Sequence, residues 1–452
     1  MRVVIIGSNH AGISCAMTLS SYYKDIEISV FEESNSIAYI GADGLLWISG
    51  EIDNIEKTLY SSPEKLRAKG IDLHLNSPVY KVDTVKKEVF YKEDSQNKSL
   101  IYDKLVLATG SSPIRTLNDE KSILANKTKV LTAKTFSEGK ELFEISHDKK
   151  LKKMAIIGGG YIGAEAAVAF REARDDIVID LYQKSDQILN NYFDKEFAQF
   201  GEEELINHKI NVKLNLTINE SDVEKLNYDL ILESIGFCPN SELIPQLDRL
   251  EPTGAYKVNF YGQTSDNDIY AVGDCASVYN NILEKDVYMP LGSYATHSAI
   301  IAAHHIGFVA QGLIPRHKHN GSEGASSVKI FDIILSSVGM TYENAQNKFA
   351  SNAQYIDFSN VIKPKYLTEK QGNAPITIRV VFKKDTLQLL GFQIACGQDV
   401  TNLIHLLSLV LQKQMTAYQI RYLDMFFLPE LNQVYNYLQR ALSQVLKFGI
   451  IK

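Results

Sequence analysis

The chain is poor in cysteine. Its 452 residues include four cysteines, Cys15, Cys238, Cys275 and Cys396, and they are widely scattered. The lack of a Cys-x-x-Cys pair and of any regular spacing excludes a disulfide framework and gives no sign of a metal site. We therefore predict that the four thiols are buried and inert.

Long hydrophobic runs and dense basic blocks are also missing. The apolar stretch around residues 403–411 is interrupted by polar side chains, well short of the roughly 20 apolar residues of a membrane helix. A net charge of −7 argues against a nucleic acid partner, because nucleic acid phosphates would be repelled. The first predicted strand begins at Arg2, so no secretory signal is expected. These features favour a cytoplasmic protein with no membrane partner.

What the sequence does contain is a repeated pattern of strand, glycine turn and helix start. It occurs as VVIIGSNHAG at residues 3–12 and as MAIIGGGYIGAE at residues 154–165. In the second turn Gly158, Gly160 and Gly163 match GxGxxG. The first glycine makes the turn, the second lets the backbone approach a pyrophosphate, and the third packs helix against strand. Two such turns predict two dinucleotide sites and indicate an electron-transfer enzyme.

The first turn is less regular, since it keeps only Gly7 and Gly12. Twenty residues after Gly12 stands Glu32, at the end of the second predicted strand. A carboxylate there can accept hydrogen bonds from both hydroxyls of an adenosine ribose. The same count from Gly163 leads to Gln183, whose amide can bond a ribose but lacks the negative charge that would repel a 2′-phosphate.

Strands alternate with helices along most of the chain, which predicts an α/β fold with parallel sheets. We expect two nested Rossmann-like dinucleotide-binding domains, one formed by residues 1–112 and 241–312 and the other by residues 113–240. The strand DIYAVGD is assigned to the first sheet, because a strand ending in Gly-Asp brings the aspartate to the carboxyl edge of a parallel sheet. Residues 313–452 predict an α+β domain without a glycine turn.

Taken in order, these motifs resemble the flavoprotein pyridine nucleotide-disulfide oxidoreductases, and most of all the branch of NADH oxidase, NADH peroxidase and coenzyme A disulfide reductase. The motifs are GSNHAG, the ATG turn at residues 108–110, GGGYIGAE, YFDKEF at 192–197, GFCPN at 236–240 and AVGD at 271–274. The resemblance runs nearly end to end. It implies an FAD domain, an NAD(P)H domain inserted within it, and a C-terminal dimerisation domain that makes a homodimer.

The resemblance also implies which residues bind the cofactors. FAD would be held by Gly7, Asn9, His10, Ala11, Gly12, Glu32, Glu33, Val79, Ala108, Thr109, Gly110, Asp274, Leu291, Gly292 and Ser293. NADH or NADPH would be held by Gly158, Gly160, Tyr161, Ile162, Gly163, Gln183 and Gly236. Phe427 would reach the flavin of the partner subunit, although packing alone also explains an aromatic residue there.

Further roles follow from the same resemblance. His10 matches the active-site histidine of the family, although a histidine at a helix start is also explained by hydrogen bonds to the backbone. Tyr161 would lie over the nicotinamide side of the flavin and move away when the nicotinamide enters, with Glu165 beneath the flavin near that stack. Lys184 and Ser185 offer a cation and a hydroxyl to a 2′-phosphate, whereas the family resemblance favours NADH, so both nucleotides stay open.

One departure from the family pattern concerns the redox cysteine. The segment AYIGADGLLW at residues 38–47 aligns with SFLSCGxALW of the family and carries Ala42 in place of the cysteine. Because Gly41, Asp43 and Leu45 also depart from the pattern, we interpret this as a natural loss rather than an engineered substitution. Without the sulfur, neither disulfide reduction nor a sulfenic acid cycle is open at this position.

Three functions follow as alternatives. The first passes a hydride from the nicotinamide to the flavin and then to an acceptor that reacts with reduced flavin, such as oxygen (giving hydrogen peroxide), a quinone or a small electron carrier. Asp43 would supply a proton there, unless it is a solvated turn residue or a helix cap. The second is a flavin-binding sensor without turnover. The third is a disulfide or peroxide reductase that uses another cysteine, for example Cys396 of the partner subunit.

Overall fold

The computed structural model describes residues 1–117, 128–219, 222, 225 and 227–450. Strands and helices alternate through most of these residues. The strands are β1 (Arg2–Ile6), β2 (Glu27–Phe31), β3 (Asp72–His74), β4 (Val79–Asp83), β5 (Glu88–Glu93), β6 (Gln96–Ile101), β7 (Lys104–Leu107), β8 (Ser111–Pro113), β9 (Lys129–Leu131), β10 (Lys153–Ile157), β11 (Val178–Tyr182), β12 (Ile210–Lys213), β13 (Leu230–Glu233), β14 (Phe237–Pro239), β15 (Arg249–Leu250), β16 (Ala255–Tyr256), β17 (Ile269–Ala271), β18 (Val278–Asn280), β19 (Lys285–Val287), β20 (Ser326–Ile330), β21 (Ile333–Gly339), β22 (Ala353–Val361), β23 (Pro375–Lys383) and β24 (Leu389–Cys396). The α-helices are α1 (His10–Tyr22), α2 (Asp43–Ser49), α3 (Pro63–Ala68), α4 (Phe136–His147), α5 (Tyr161–Ala173), α6 (Lys195–Asn207), α7 (Gly292–Ala310), α8 (Tyr342–Phe349), α9 (Thr401–Gln412), α10 (Ala417–Arg421) and α11 (Tyr437–Ile450).

The first sheet is parallel and has the strand order β17-β7-β1-β2-β3. Its central strand β1 is apolar on both faces, since Val3, Val4 and Ile5 have no exposed surface, as parallel strands covered by helices require. The strand predicted from DIYAVGD, β17, pairs with β7 in this sheet, which confirms its assignment. Helices α1 and α7 pack together over the sheet, so the starts of two helices from distant segments meet at the carboxyl edge of the strands.

The second sheet repeats this arrangement in the order β12-β11-β10-β13-β9, again with parallel pairs. Its core includes side chains of α4, α5 and α6. Helix α2, which follows the first glycine turn in the chain, also packs on α4 and α5. The segment that carries Ala42 and Asp43 is therefore held between the two parallel-sheet units.

The third sheet is antiparallel, in the order β20-β21-β24-β23-β22, and is covered by α9, α10 and α11. The mixed α/β class with two glycine-turn units and a C-terminal α+β unit agrees with the prediction. Two features were not predicted, the antiparallel sheet β4-β5-β6 and helix α11. Within the described ranges, no helix is both long enough and apolar enough to cross a bilayer.

Arg379 connects the second unit to the antiparallel sheet. Its side chain is only 2% exposed, and its guanidinium lies 3.1 Å from Asp194, 3.0 Å from Glu196 and 2.8 Å from Asp357. Asp194 in turn accepts a hydrogen bond of 2.5 Å from Gln393. A buried ion pair of this kind loses several kcal/mol when one partner is removed, because the other charge stays buried without compensation.

Candidate active site

The first glycine turn is closed by backbone contacts. Gly7 has φ +105°, and a Cβ atom there would lie 2.2 Å from the carbonyl oxygen of Ala108. A Cβ atom at Gly12 would lie 1.9 Å from the carbonyl oxygen of Gly7. Only glycine permits either approach. The start of α1 is therefore pressed against β1 and β7, with its first backbone N–H groups facing the edge of the sheet.

Glu32 lies directly beside this turn. Its Oε2 accepts hydrogen bonds from the backbone N–H of Ser8 at 3.0 Å and from the hydroxyl of Ser8 at 2.7 Å. Its Oε1 accepts from the backbone N–H and the hydroxyl of Ser34, at 3.0 and 2.9 Å. Glu33 points to solvent. The structure thus fixes the Glu32 carboxylate where the sequence predicted an acceptor for ribose.

The second turn has the same construction. Gly158 also has φ +105°, and its Cβ atom would lie 2.4 Å from the carbonyl oxygen of Ser234. A Cβ atom at Gly163 would lie 1.9 Å from the carbonyl oxygen of Gly158. The middle glycine differs, because a Cβ atom at Gly160 would meet no atom within 4 Å. The first and third glycines therefore serve packing, and the second leaves open space of the kind a pyrophosphate needs.

Gln183 follows β11 and reaches back to the second turn. Its Oε1 accepts a hydrogen bond of 2.8 Å from the backbone N–H of Gly159. Its Nε2 donates to the hydroxyl of Ser185 at 2.5 Å and to Oδ1 of Asn190 at 3.3 Å. The side chain is therefore held in a single orientation at the point where Glu32 stands in the first unit.

Three helices start at these sites without a capping side chain. The residues before α1, α5 and α7 are Asn9, Gly160 and Leu291, and none of their side chains bonds the first turn of the helix. Hydroxyl side chains do so at α3, α4 and α8, through Ser62, Thr135 and Thr341, whereas α2, α6 and α9 also begin without such a bond. Uncapped N–H groups and the positive end of the helix dipole favour phosphate. The residues present thus fit the diphosphates of two dinucleotides.

Asp274 lies in the turn that follows β17. Its Oδ2 accepts a hydrogen bond of 2.9 Å from the hydroxyl of Ser111 and lies 3.4 Å from Nζ of Lys134. Lys134 also donates to the Ser111 hydroxyl at 3.1 Å and lies 4.5 Å from the centre of the Phe237 ring. The sequence reasoning missed Lys134, because no motif surrounds it and only the folded chain brings it to Asp274.

His10 is the first residue of α1 and faces the start of α7. A Cβ atom on Gly292 would lie 3.6 Å from Cδ2 of the histidine. Its Nδ1 is hydrogen-bonded to the hydroxyl of Tyr60 at 3.1 Å, and the two rings stack with their centres 5.3 Å apart. Burial lowers the pKa of His10, an effect that Asp274 opposes. The described hydrogen-bond partner of the ring is therefore the side chain of Tyr60, and not the backbone that the alternative prediction expected.

Ala42 and Asp43 form the start of α2. Ala42 is exposed and is the residue before the helix, and Asp43 is the first helical residue. The Asp43 side chain is only 4% exposed, and its Oδ2 has no hydrogen-bond partner among the described residues. Burial raises the pKa of Asp43, against the opposing effects of Thr58 and His10. This burial does not fit a solvated turn residue, and Asp43 is not the capping residue, because Ala42 holds that position before α2.

Tyr161 and Glu165 lie on the first turns of α5. The Tyr161 ring stacks on Tyr192, with the ring centres 4.1 Å apart, and its hydroxyl is hydrogen-bonded to the hydroxyl of Ser326 at 2.7 Å. Burial raises the pKa of Tyr161. Burial also raises the pKa of Glu165 to about 7. A carboxyl group of that pKa exchanges its proton in the neutral range.

The remaining predicted residues are spread around the two turns. Ala11 and Ile162 belong to the first turns of α1 and α5, and Ser293 to that of α7. The hydroxyl of Thr109 donates to the carbonyl of Asn240 at 2.6 Å. Gly110 accepts from Asn240 N–H at 2.9 Å, and Gly236 precedes β14. Val79 is half-buried on β4, while Phe427 is 44% exposed, far along the chain after α10.

The thiols divide into two groups. Cys15, Cys275 and Cys396 are buried, and burial raises the pKa of each, to about 12 for Cys15 and about 11 for Cys396. Cys238 is exposed, so the prediction of four buried thiols is wrong for this residue. The reason is its position on β14, which pairs only with the short strand β8, outside the parallel sheets.

Comparisons with known proteins agree with this architecture. Residues 1–299 match the family model described as pyridine nucleotide-disulphide oxidoreductase, and residues 325–437 match the dimerisation domain of the same family. The chain therefore belongs to the pyridine nucleotide-disulphide oxidoreductases. It is a flavoenzyme with a site for FAD and a site for a nicotinamide dinucleotide.

Individual relatives place it in one branch of that family. The chain is 32% identical to an NADH oxidase of Streptococcus pneumoniae serotype 4, over 97% of this chain and 98% of that protein. Its fold matches the water-forming NADH oxidase of Lactobacillus brevis bound to NADH, with a TM-score of 0.90 and 26% identity, over 100% of this chain and 99% of that one. An engineered variant of that enzyme, a water-forming NADPH oxidase bound to NADPH, matches equally well, with the same TM-score, identity and coverage.

Proposed function

We propose that this protein is an NAD(P)H oxidase that releases hydrogen peroxide instead of water. The overall reaction is NAD(P)H + H⁺ + O₂ → NAD(P)⁺ + H₂O₂. The observation that carries the proposal is Ala42 at the start of α2, where the family resemblance expects a redox cysteine. A sulfur atom there could reduce peroxide further to water, and a methyl group cannot.

The chain's own residues would hold the two cofactors. The Glu32 carboxylate would bind the adenosine ribose of FAD, and the uncapped starts of α1 and α7 would hold its diphosphate. Asp274, which is held by a hydrogen bond from Ser111, would bind the ribityl chain between the flavin ring and the diphosphate. FAD, when bound, accepts a hydride from the nicotinamide and passes two electrons to oxygen.

Asp43 would supply the proton that this reaction consumes. Its buried Oδ2 lacks a partner, and its raised pKa favours a protonated carboxyl group. A negative charge close to Asp43 would favour the protonated carboxyl group further, because repulsion between two like charges at contact distance costs roughly 1 to 4 kcal/mol. The His10 ring, whose pKa burial lowers, interacts electrostatically with Asp43 and would take part in the same proton transfer. These two residues would replace the lost thiol with acid–base chemistry.

Stoichiometry tests the product. The purified yellow protein is mixed with NADH in air, and oxygen uptake and peroxide are measured together. We expect one peroxide and one oxygen per nucleotide oxidised. One oxygen per two nucleotides without peroxide would contradict the proposal, and oxidation only after addition of a quinone or an electron-carrier protein would name a different acceptor. Absence of anaerobic flavin reduction by NADH and NADPH would instead favour the sensor.

The role of Asp43 is tested by Asp43→Asn. We expect reoxidation of the reduced protein by oxygen to slow by about 100-fold or more, the contribution that is typical of general acid catalysis. The matched control is Asp53→Asn, because Asp53 is exposed just beyond the same helix. The assignment fails if Asp43→Asn changes neither the reoxidation rate nor the flavin reduction potential.

We also propose that the enzyme works as a homodimer in the cytoplasm. Support for the dimer comes from the match to the dimerisation domain and from the apolar side chains exposed after α10. These include Phe426, Phe427, Leu431 and Tyr435. Support for the compartment comes from the cysteines, all of which are free thiols, as is usual where thiols are kept reduced.

A further inference from the structure

The two glycine turns can be compared directly within one chain. In the first, the backbone N–H after the leading glycine, that of Ser8, donates to Glu32 at 3.0 Å. In the second, the backbone N–H of Gly159 donates to Gln183 at 2.8 Å. Both side chains follow the second strand of their sheet and occupy the same place relative to the turn. The same position therefore carries a carboxylate in the first unit and a neutral amide in the second unit.

The two side chains differ in what they offer to the adenosine ribose. All four hydrogen bonds to Glu32 are donated to its two carboxylate oxygens, by Ser8 and Ser34. Gln183 uses its oxygen for Gly159 and its nitrogen as a donor toward Ser185 and Asn190. The nitrogen carries no negative charge and has N–H groups where a carboxylate would have lone pairs. Both of its N–H groups already have acceptors, so a phosphate on the 2′-oxygen would meet a neutral amide there instead of a like charge.

The charges near Gln183 agree with this. Lys184 is exposed and has no partner among the described residues. The acidic residue that follows, Asp186, is paired with Lys195 at 2.6 Å, and the buried Asp180 is paired with Lys213 at 2.9 Å. These two carboxylates therefore have their own cations, and Lys184 remains available to a ligand.

We propose that the second site accepts both NADH and NADPH, and that Gln183 is the residue that permits the 2′-phosphate. The inference deepens the proposed function by naming the nucleotide class of the same site. It requires only that a nicotinamide dinucleotide binds at the second turn, and it does not depend on which product oxygen gives.

Equilibrium binding of NAD⁺ and NADP⁺ to the FAD-loaded protein tests the proposal without turnover. We expect the two dissociation constants of the natural protein to agree within about tenfold. In Gln183→Glu, which keeps the size and the acceptor oxygen, we expect NADP⁺ to bind at least about fivefold more weakly and NAD⁺ about as before. Fivefold is the factor produced by one like-charge contact of about 1 kcal/mol at 4 Å in water.

The matched control is Gln199→Glu, the same change of charge on the exposed side of α6 in the same unit. It is expected to leave the ratio of the two dissociation constants unchanged. A natural protein that prefers NAD⁺ by more than tenfold, or a Gln183→Glu variant with an unchanged ratio, would overturn the inference. Nucleotide binding with the expected ratio but without peroxide would instead count against the proposed function alone.

Discussion

The partly buried Glu165 offers the sharpest test of the electrostatics of this site. Burial raises its pKa from the usual 4.5 to about 7, which corresponds to about 3 kcal/mol at 25 °C. A carboxyl group whose pKa is raised in the folded state stabilises the fold only while it is protonated. That stability is fully present below about pH 4.5, where the unfolded chain is also protonated, and it is lost as the pH rises through about 7.

Glu165→Gln removes this dependence, because an amide does not ionise. The free energy of unfolding of the variant relative to the natural protein should therefore rise by about 3 kcal/mol between about pH 4.5 and about pH 8. Urea titrations can follow it through the single tryptophan, Trp47, whose ring stacks on Phe143 of α4 at 3.5 Å. This ring pair joins α2 to the unit that carries Glu165.

A matched control is Glu144→Gln, because Glu144 is exposed on α4. Its stability relative to the natural protein should not change over the same pH range. If Glu165→Gln behaves like this control, the carboxyl group is ionised at little cost in the folded protein, and the reasoning from burial is refuted. A change of the opposite sign would mean that an unrecognised cation stabilises the carboxylate.

Three further perturbations have defined outcomes. Gly7→Ala should abolish retention of FAD, and Gly158→Ala should abolish nucleotide binding but keep the yellow colour, since each Cβ would meet a backbone oxygen. Flavin absorbance and nucleotide titration distinguish the two variants. A Gly7→Ala protein that retains a full complement of FAD would contradict the assignment. Arg379→Met should lower the free energy of unfolding by about 3 to 5 kcal/mol, because Asp194 would be left buried and uncompensated; a urea titration that shows under 1 kcal/mol would refute this. Cys238→Ser should keep full oxidase activity and abolish labelling of the folded protein by thiol reagents. Loss of turnover in this variant would instead indicate a mechanism that uses a thiol.

The glycine turns and their sheets could be predicted because their signals are local. A tight turn needs glycine at fixed offsets, and a buried parallel strand needs a short apolar run, so both are written in neighbouring residues. The place of β17 in the first sheet could also be predicted from a local signal, since AVGD is typical of a strand that ends with an aspartate at the carboxyl edge of a parallel sheet. Family resemblance then extended these local signals to the C-terminal unit.

Other parts of the site depend on contacts between distant residues. Lys134 reaches Asp274 across 140 positions, and Tyr60 meets His10 across 50. Neither pairing leaves a pattern in the sequence. The burial of Asp43 could not be predicted either, because it depends on how α2 lies against α4 and α5. The exposure of Cys238 likewise depends on the tertiary structure, and it cannot be inferred from the neighbouring residues in the sequence.

The two turns also show how cofactor choice can change during evolution. Their closure is a contact of backbone with backbone, at Gly7 and at Gly158, so a substitution at either glycine displaces its turn and the site together. The side chain proposed to bind the ribose contacts its turn only through hydrogen bonds, and a glutamate and a glutamine occupy the same place in the two halves of this molecule. A lineage could therefore move from one reducing nucleotide to another by a single codon change, without passing through an unfolded ancestor.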